Sequence, residues 1–333
     1  MTNKENIYMF IKKFILFLFL SINIFSANKK ILIIGSYHKE FQFQQDYIDG
    51  IKNTLGKKYD YYEFFLNTKK VPESEFVAMS DKAFDYYKEI KPDLVVLGDD
   101  NALKLLKDRF ILEKIPVVFL GINANIRKYF KQRPNNFTGV LERPFYQRNI
   151  AFVKEVVPYL KEILIISDDS ETSKTILQES FQGKFTTKLL NMNITIRLTN
   201  SYETWKEIVE KESPKYGAVI LGLYATVKDN KDKYIDENYL IDWTSKNVQK
   251  PLFGTWSFSV GEGKTIGGLV LSGTDQGVEA GKIIEKILEK GQKPISIFPV
   301  TADKGEYIIS KSESNRWKVK VPSKYNPIIK LVE

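Results

Sequence analysis

The chain has 333 residues, with 50 Lys and Arg against 41 Asp and Glu, a formal charge of +9, one histidine and no cysteine. Its length suits about two domains, and its 43% apolar and 27% charged fractions exclude wholesale disorder. Without cysteine, disulfides, thiolate metal sites and cysteine nucleophiles are excluded, and with His38 alone so is a multi-histidine metal site.

Residues 1–27 begin with Lys4, Lys12 and Lys13, continue through an apolar stretch from Phe14 to Phe25, and end at the small pair Ser26-Ala27. That is the plan of a cleavable secretory signal peptide. About a dozen apolar residues make roughly 18 Å of helix, short of a bilayer core of about 30 Å. An uncleaved anchor is the alternative, because Ile7–Ile11 adds apolar residues ahead of the lysines. No cysteine follows to carry a lipid, and the expected location is the periplasm.

Beyond Asn28 the chain alternates two patterns. Short apolar runs end at Gly or Ser: Ile31-Leu32-Ile33-Ile34 at Gly35, Leu94–Leu97 at Gly98, Val117–Leu120 at Gly121, Ile163–Ile166 at Ser167, Val219–Leu221 at Gly222, and Pro251–Phe253 at Gly254. Such runs predict strands buried on both faces of a parallel sheet. Between them lie helix-period segments, among them Ile48, Ile51 and Leu55, then Phe76 through Ile90, then Ile150, Val153 and Val157, and finally Val278, Ile283 and Ile287. The fold class is therefore α/β, with two doubly wound parallel-sheet lobes separated near Thr138–Arg143.

In open parallel sheets, ligands bind beyond the carboxyl ends of the strands. The candidates are thus Ser36, Tyr37 and His38; Asp99, Asp100 and Asn101; Asn123; Asp168 and Asp169; Tyr224; and Trp256. Asp, Ser and Asn at such places also serve as plain helix caps. The pairs Asp99-Asp100 and Asp168-Asp169 suit a divalent cation, a ligand amine or a cap equally well. His38 follows the first strand, where a general base is one reading and a hydrogen-bonding wall residue the other.

Enzyme signatures are missing. Gly261-Glu262-Gly263-Lys264-Thr265 imitates a phosphate-binding loop, but the earlier glycine is replaced by Phe258 and a strand-like run, Ile266–Leu271, follows in place of a helix. No Gly-x-Gly-x-x-Gly follows the first strand, and no Gly-x-Ser-x-Gly elbow exists. The positive charge is spread along the chain, which disfavours a nucleic-acid stripe. The expectation is a binding protein, monomeric, without enzymatic activity, cofactor or nucleic-acid partner.

The order of these pieces resembles the ABC transporter substrate-binding family, which has the type I periplasmic binding protein fold. The likeness rests on Pro92–Gly98, Ile115–Phe119 and Phe137–Val140, then on Gly273-Thr274-Asp275-Gln276-Gly277 leading into a helix that ends near Gly291, and last on Val319–Pro322. The resemblance implies two lobes, residues 28–140 plus about 272–299 and residues 141–271 plus about 300–333, closing on a small-molecule ligand about hinge segments at Thr138–Arg143 and Ser272–Asp275. Tyr37, Asp100 and Asn123 would line one wall, Asp168, Tyr224 and Trp256 the other, with Glu142 and Asp275 near the floor. Such an acidic, aromatic cleft predicts an amine-bearing, amino-acid-like guest. The implied partner is an inner-membrane ABC permease; the alternative is a membrane sensor, either a histidine kinase or a diguanylate cyclase.

Overall fold

The computed structural model describes residues 28–302 and 305–333, so the expected leader, residues 1–27, lies outside the described residues. The chain runs β1 (Lys29–Gly35), α1 (Gln42–Leu55), β2 (Tyr59–Phe65), α2 (Phe76–Ile90), β3 (Leu94–Gly98), α3 (Asp99–Glu113), β4 (Val117–Ile122) and β5 (Phe137–Leu141). It continues with α4 (Tyr146–Val156), β6 (Glu162–Ser167), α5 (Glu171–Phe181), β7 (Thr186–Leu189), β8 (Met192–Leu198), α6 (Tyr202–Glu207), β9 (Ala218–Leu221), α7 (Glu237–Asn247) and β10 (Leu252–Gly254). Last come β11 (Gly267–Val270), α8 (Gly273–Leu288), β12 (Val300–Thr301), β13 (Glu306–Ser310), α9 (Lys311–Arg316) and β14 (Ile329–Val332).

The first sheet is parallel throughout, in the order β12-β5-β4-β3-β1-β2. Side chains alternate across a strand, so each apolar run supplies two cores at once. Ile31 and Ile33 of β1 pack with Ile48, Ile51, Ile283 and Ile284 of α1 and α8. Leu32 and Ile34 pack on the opposite face with Ala83, Leu103, Leu106 and Phe110 of α2 and α3. This two-sided burial is why the run carries no polar residue.

The second sheet has the order β10-β9-β6-β8-β7, parallel except for the hairpin of β7 with β8. Ile163 and Ile165 of β6 face Ile150, Val153, Ile176 and Phe181, while Leu164 and Ile166 face Trp205, Leu240 and Ile241. A smaller sheet of β11, β13 and β14 stands apart from these two. β11 follows the Gly261–Thr265 turn, where Lys264 N donates to Gly261 O. The glycine-rich stretch is thus a turn entering a strand, with no helix to receive a phosphate.

The chain leaves the first sheet after Leu141 and returns at Ser272, whose hydroxyl accepts from Asp275 N and caps α8. That helix packs against α1 at glycine-width separation: a Cβ built on Gly277 would stand 2.1 Å from Tyr47 O. Val300–Thr301 pairs with Val140–Leu141 at the edge of the first sheet. A two-residue strand made through its backbone leaves no apolar run to read. No helix among the described residues is long and apolar enough to cross a membrane.

Candidate functional site

The strand exits of the two large sheets face each other across a narrow cavity of about 10 Å³. Tyr37, Phe41, Lys69, Asp99, Asn123 and Glu142 line it from the first lobe and its exit, and Thr172, Leu223, Trp256 and Phe258 from the second. That is about the room one water needs, so a guest requires the two lobes to part from this arrangement. Its walls are aromatic. Tyr37 meets Phe41 edge-on at 4.9 Å, and Phe41 meets Phe258 across the lobes at 5.7 Å. Trp256 lies 6.5 Å from Phe258 on the far side.

Its floor is polar and incomplete. Asp99 Oδ2, Asn123 Oδ1 and Glu142 Oε2 are buried without a hydrogen-bond partner. Leaving such a group unmade costs on the order of 1–3 kcal/mol. Asp99 adopts φ +68°, a left-handed conformation uncommon outside glycine, where strain of about 1–3 kcal/mol must be held by the surroundings. Lys69, only 4% exposed, places its ammonium over the Tyr37 and Phe41 rings at 4.1 and 4.0 Å.

Burial and the facing Glu142 carboxylate push the Asp99 carboxyl well above its ordinary value, with the Lys69 charge pulling the other way. Glu142 is pushed up to about 8, chiefly by burial and then by the Asp100 charge, while the Asn123 amide and Trp256 indole offset part of that rise. His38 moves oppositely: burial, with Lys70 and Lys69 beside it, holds it down at about 4. Its 3.9 Å approach to Glu237 across the cleft mouth is therefore not an ion pair at neutral pH.

The expected residues divide into distinct groups. Tyr37, Asp99, Asn123, Glu142 and Trp256 meet at the cavity. His38 and Tyr224 line a groove at one mouth of the cleft, beside Lys70 and Glu237. Asn101 and Asp169 line the other mouth, where Asn101 donates to Thr68 at 3.0 Å and Asp169 pairs with Lys174 at 3.3 Å. Four candidates lie outside the cavity and both mouths, and three of them are committed to the fold. The Ser36 hydroxyl donates to Gly98 O at 2.6 Å and accepts from Ala102 N at 2.8 Å, which fixes the start of α3. Asp100 accepts from Asn123 N, Ala124 N and the Tyr129 hydroxyl. Asp168 accepts from the Ser170 and Ser173 hydroxyls and from Thr226 N, so it ties α5 to the loop after β9. Asp275 lies in the first turn of α8 outside the cavity lining, and it is the neighbouring Gln276 that accepts from Gly121 N beneath the floor.

Lys69, Thr172 and Phe258 were not anticipated. Lys69 follows β2, whose Tyr59–Phe65 sequence mixes aromatic and charged residues and gives no apolar run. Thr172 sits inside the first turn of α5, two residues beyond the polar cluster after β6. Phe258 sits in a short helical turn after Trp256, where its own ring is the one available signal. Among the described residues, no group of three or more His, Asp or Glu is arranged to hold a metal ion.

A family model described as ABC transporter substrate binding protein matches residues 44–326. No curated protein matches the sequence. Among solved structures, an ABC domain from Streptococcus pneumonia in complex with L-Trp is 19% identical with a TM-score of 0.68. A conserved domain protein from Vibrio cholerae is 16% identical with a TM-score of 0.66. A substrate-binding protein with adhesive properties from Clostridium difficile, in a ligand-free open form, is 14% identical with a TM-score of 0.64. Each alignment covers 92% of this chain and 100% of the other, and at these identities the likeness is one of fold.

Proposed function

The chain belongs to the ABC transporter substrate-binding protein family, and from that premise we propose that it captures an amine-bearing, amino-acid-like molecule between its lobes for delivery to an ABC permease. The family is one of solute binding and not of catalysis, so the site is read as a clamp. One observation carries the ligand class: three buried oxygens, one each on Asp99, Asn123 and Glu142, have no hydrogen-bond partner in a cavity walled by aromatic rings. An ammonium group has three donors and no acceptor, and aromatic faces attract a cation. That the Streptococcus pneumonia domain was solved with L-Trp supports an amino-acid-like guest.

The same observation gives the clamp its drive. A ligand shifts an open–closed equilibrium only through differential affinity for the two forms. Closure without a guest buries acceptors that an open cleft leaves to water, whereas closure on an ammonium satisfies them. The location we infer is the periplasm, supported by the charged, apolar and small-residue segments of residues 1–27.

A thermal-shift screen tests the reading. Free ligand at a hundred times its dissociation constant stabilises by about 2.7 kcal/mol. Amino acids or simple amines are expected to raise the melting temperature. A response confined to sugars or inorganic anions overturns the proposal.

A further inference from the structure

We infer that Lys69 is a specificity residue that reads a carboxylate, so that the cleft requires a zwitterionic α-amino acid and rejects the corresponding amine. The inference rests on the ligand reading above and adds the second charge. Lys69 is 4% exposed, and among the described residues its ammonium forms no hydrogen bond and no ion pair; its contacts are the faces of Tyr37 and Phe41. Two aromatic faces offset part of the desolvation of a cation but supply no counter-charge. The ammonium is central, since Asp99, His38 and Glu237 all respond to its charge from different elements. A cation without an ion-pair partner, beside buried oxygens without hydrogen-bond partners, is the complement of a zwitterion.

The second lobe completes the anion position. Thr172 lines the cavity together with Lys69, and both also line the mouth that opens past Asn101. Thr172 lies in the first turn of α5, an 11-residue helix. The positive end of its dipole favours an anion there. The acceptors for the ammonium all stand on the first lobe and its exit, whereas the carboxylate would be held from both lobes. The carboxylate would thus add a tie to the second lobe that the ammonium does not make.

The experiment compares matched compounds on the whole protein: the twenty L-amino acids, their decarboxylated amines and their carboxamides, by thermal shift and then by calorimetry on the best acid. The expected result is a shift with at least one acid and a dissociation constant at least about tenfold weaker for its amine and amide, as expected for a charge-assisted contact. Lys69→Met should erase that preference, with acid and amide binding alike, and Lys69→Arg should restore it. Equal shifts for an acid and its amine overturn this inference and leave the amine reading standing. No shift with any acid or amine overturns both. If Lys69→Met fails to fold, the acid–amine–amide ratio on the unaltered protein and the retained preference of Lys69→Arg still decide.

Discussion

At the scale of single residues, the site turns on where a carboxyl keeps its proton. The Glu142 carboxyl is raised from 4.5 to about 8 in the closed, empty chain, so between those values the folded chain holds a proton that the unfolded chain has released. Stability from this group therefore falls as pH rises through that window, and the loss is complete above about 8. A bound ammonium favours the ionised carboxylate and lowers that pKa again, so binding expels a proton. Affinity for an amine ligand should then rise with pH toward 8, approaching tenfold per unit where a full proton is released, and flatten above it. Calorimetry in buffers of different ionisation enthalpy reads the proton count, and Glu142→Gln should lower both the slope and the count, leaving the part due to the Asp99 carboxyl. An affinity that is flat or falls with pH in the native chain contradicts the assignment. Residue type at a strand exit identifies the neighbourhood but not the role. Asp99 and Asp168 look alike in sequence, yet Asp99 keeps an oxygen unpartnered while Asp168 is consumed by Ser170, Ser173 and Thr226. Thr226 is 58 positions away, a distance at which no local pattern announces a partner.

At the scale of elements, what was legible was whatever is buried on two sides. β1, β3, β4, β6 and β9 read directly because both faces of each meet helices, which forbids polar residues along the run. β2 was not legible, because its residues are half-buried at the sheet edge and its sequence alternates without an apolar core. The hairpin of β7 and β8 was hidden for a different reason. Its turn residues Leu190 and Asn191 have φ of 51° and 60°, the conformation that Asn-Gly usually advertises, reached here without glycine. The α1–α8 seam shows a glycine that packing requires: Gly277 lets α8 approach the α1 backbone at Tyr47, and α1 follows the loop that carries Tyr37 and Phe41. Gly277→Ala must push these helices apart, since backbone and not a flexible side chain stands in the way. A destabilisation of about 1–3 kcal/mol is expected, seen as a lowered denaturation midpoint with little change in denaturant slope. An unchanged midpoint means that the helices do not pack at this separation.

At the scale of the whole molecule, the lobes touch where sequence-distant aromatics meet. Phe41 and Phe258 belong to opposite lobes, and their contact closes the cavity on the side of the His38–Glu237 groove. An edge-on or tilted aromatic pair contributes about 0.5–1.5 kcal/mol beyond its buried area. That amount favours the closed form without locking it, which a protein that must release its cargo requires. Phe258→Ala should therefore shift the unliganded chain toward the open form and weaken ligand binding by roughly two- to twelvefold, the same free energy expressed as a population. Small-angle scattering should show a larger radius of gyration for the empty variant than for the empty native chain. At saturating ligand the two should converge, because the contacts proposed for the guest with Asp99, Glu142 and the second lobe would supply the closing energy in both. If the empty variant and the empty native chain scatter alike while affinity drops, Phe258 acts as a wall of the site and not as a latch. If neither quantity changes, the interlobe ring contact has no part in closure, and the balance between open and closed rests on the polar floor alone.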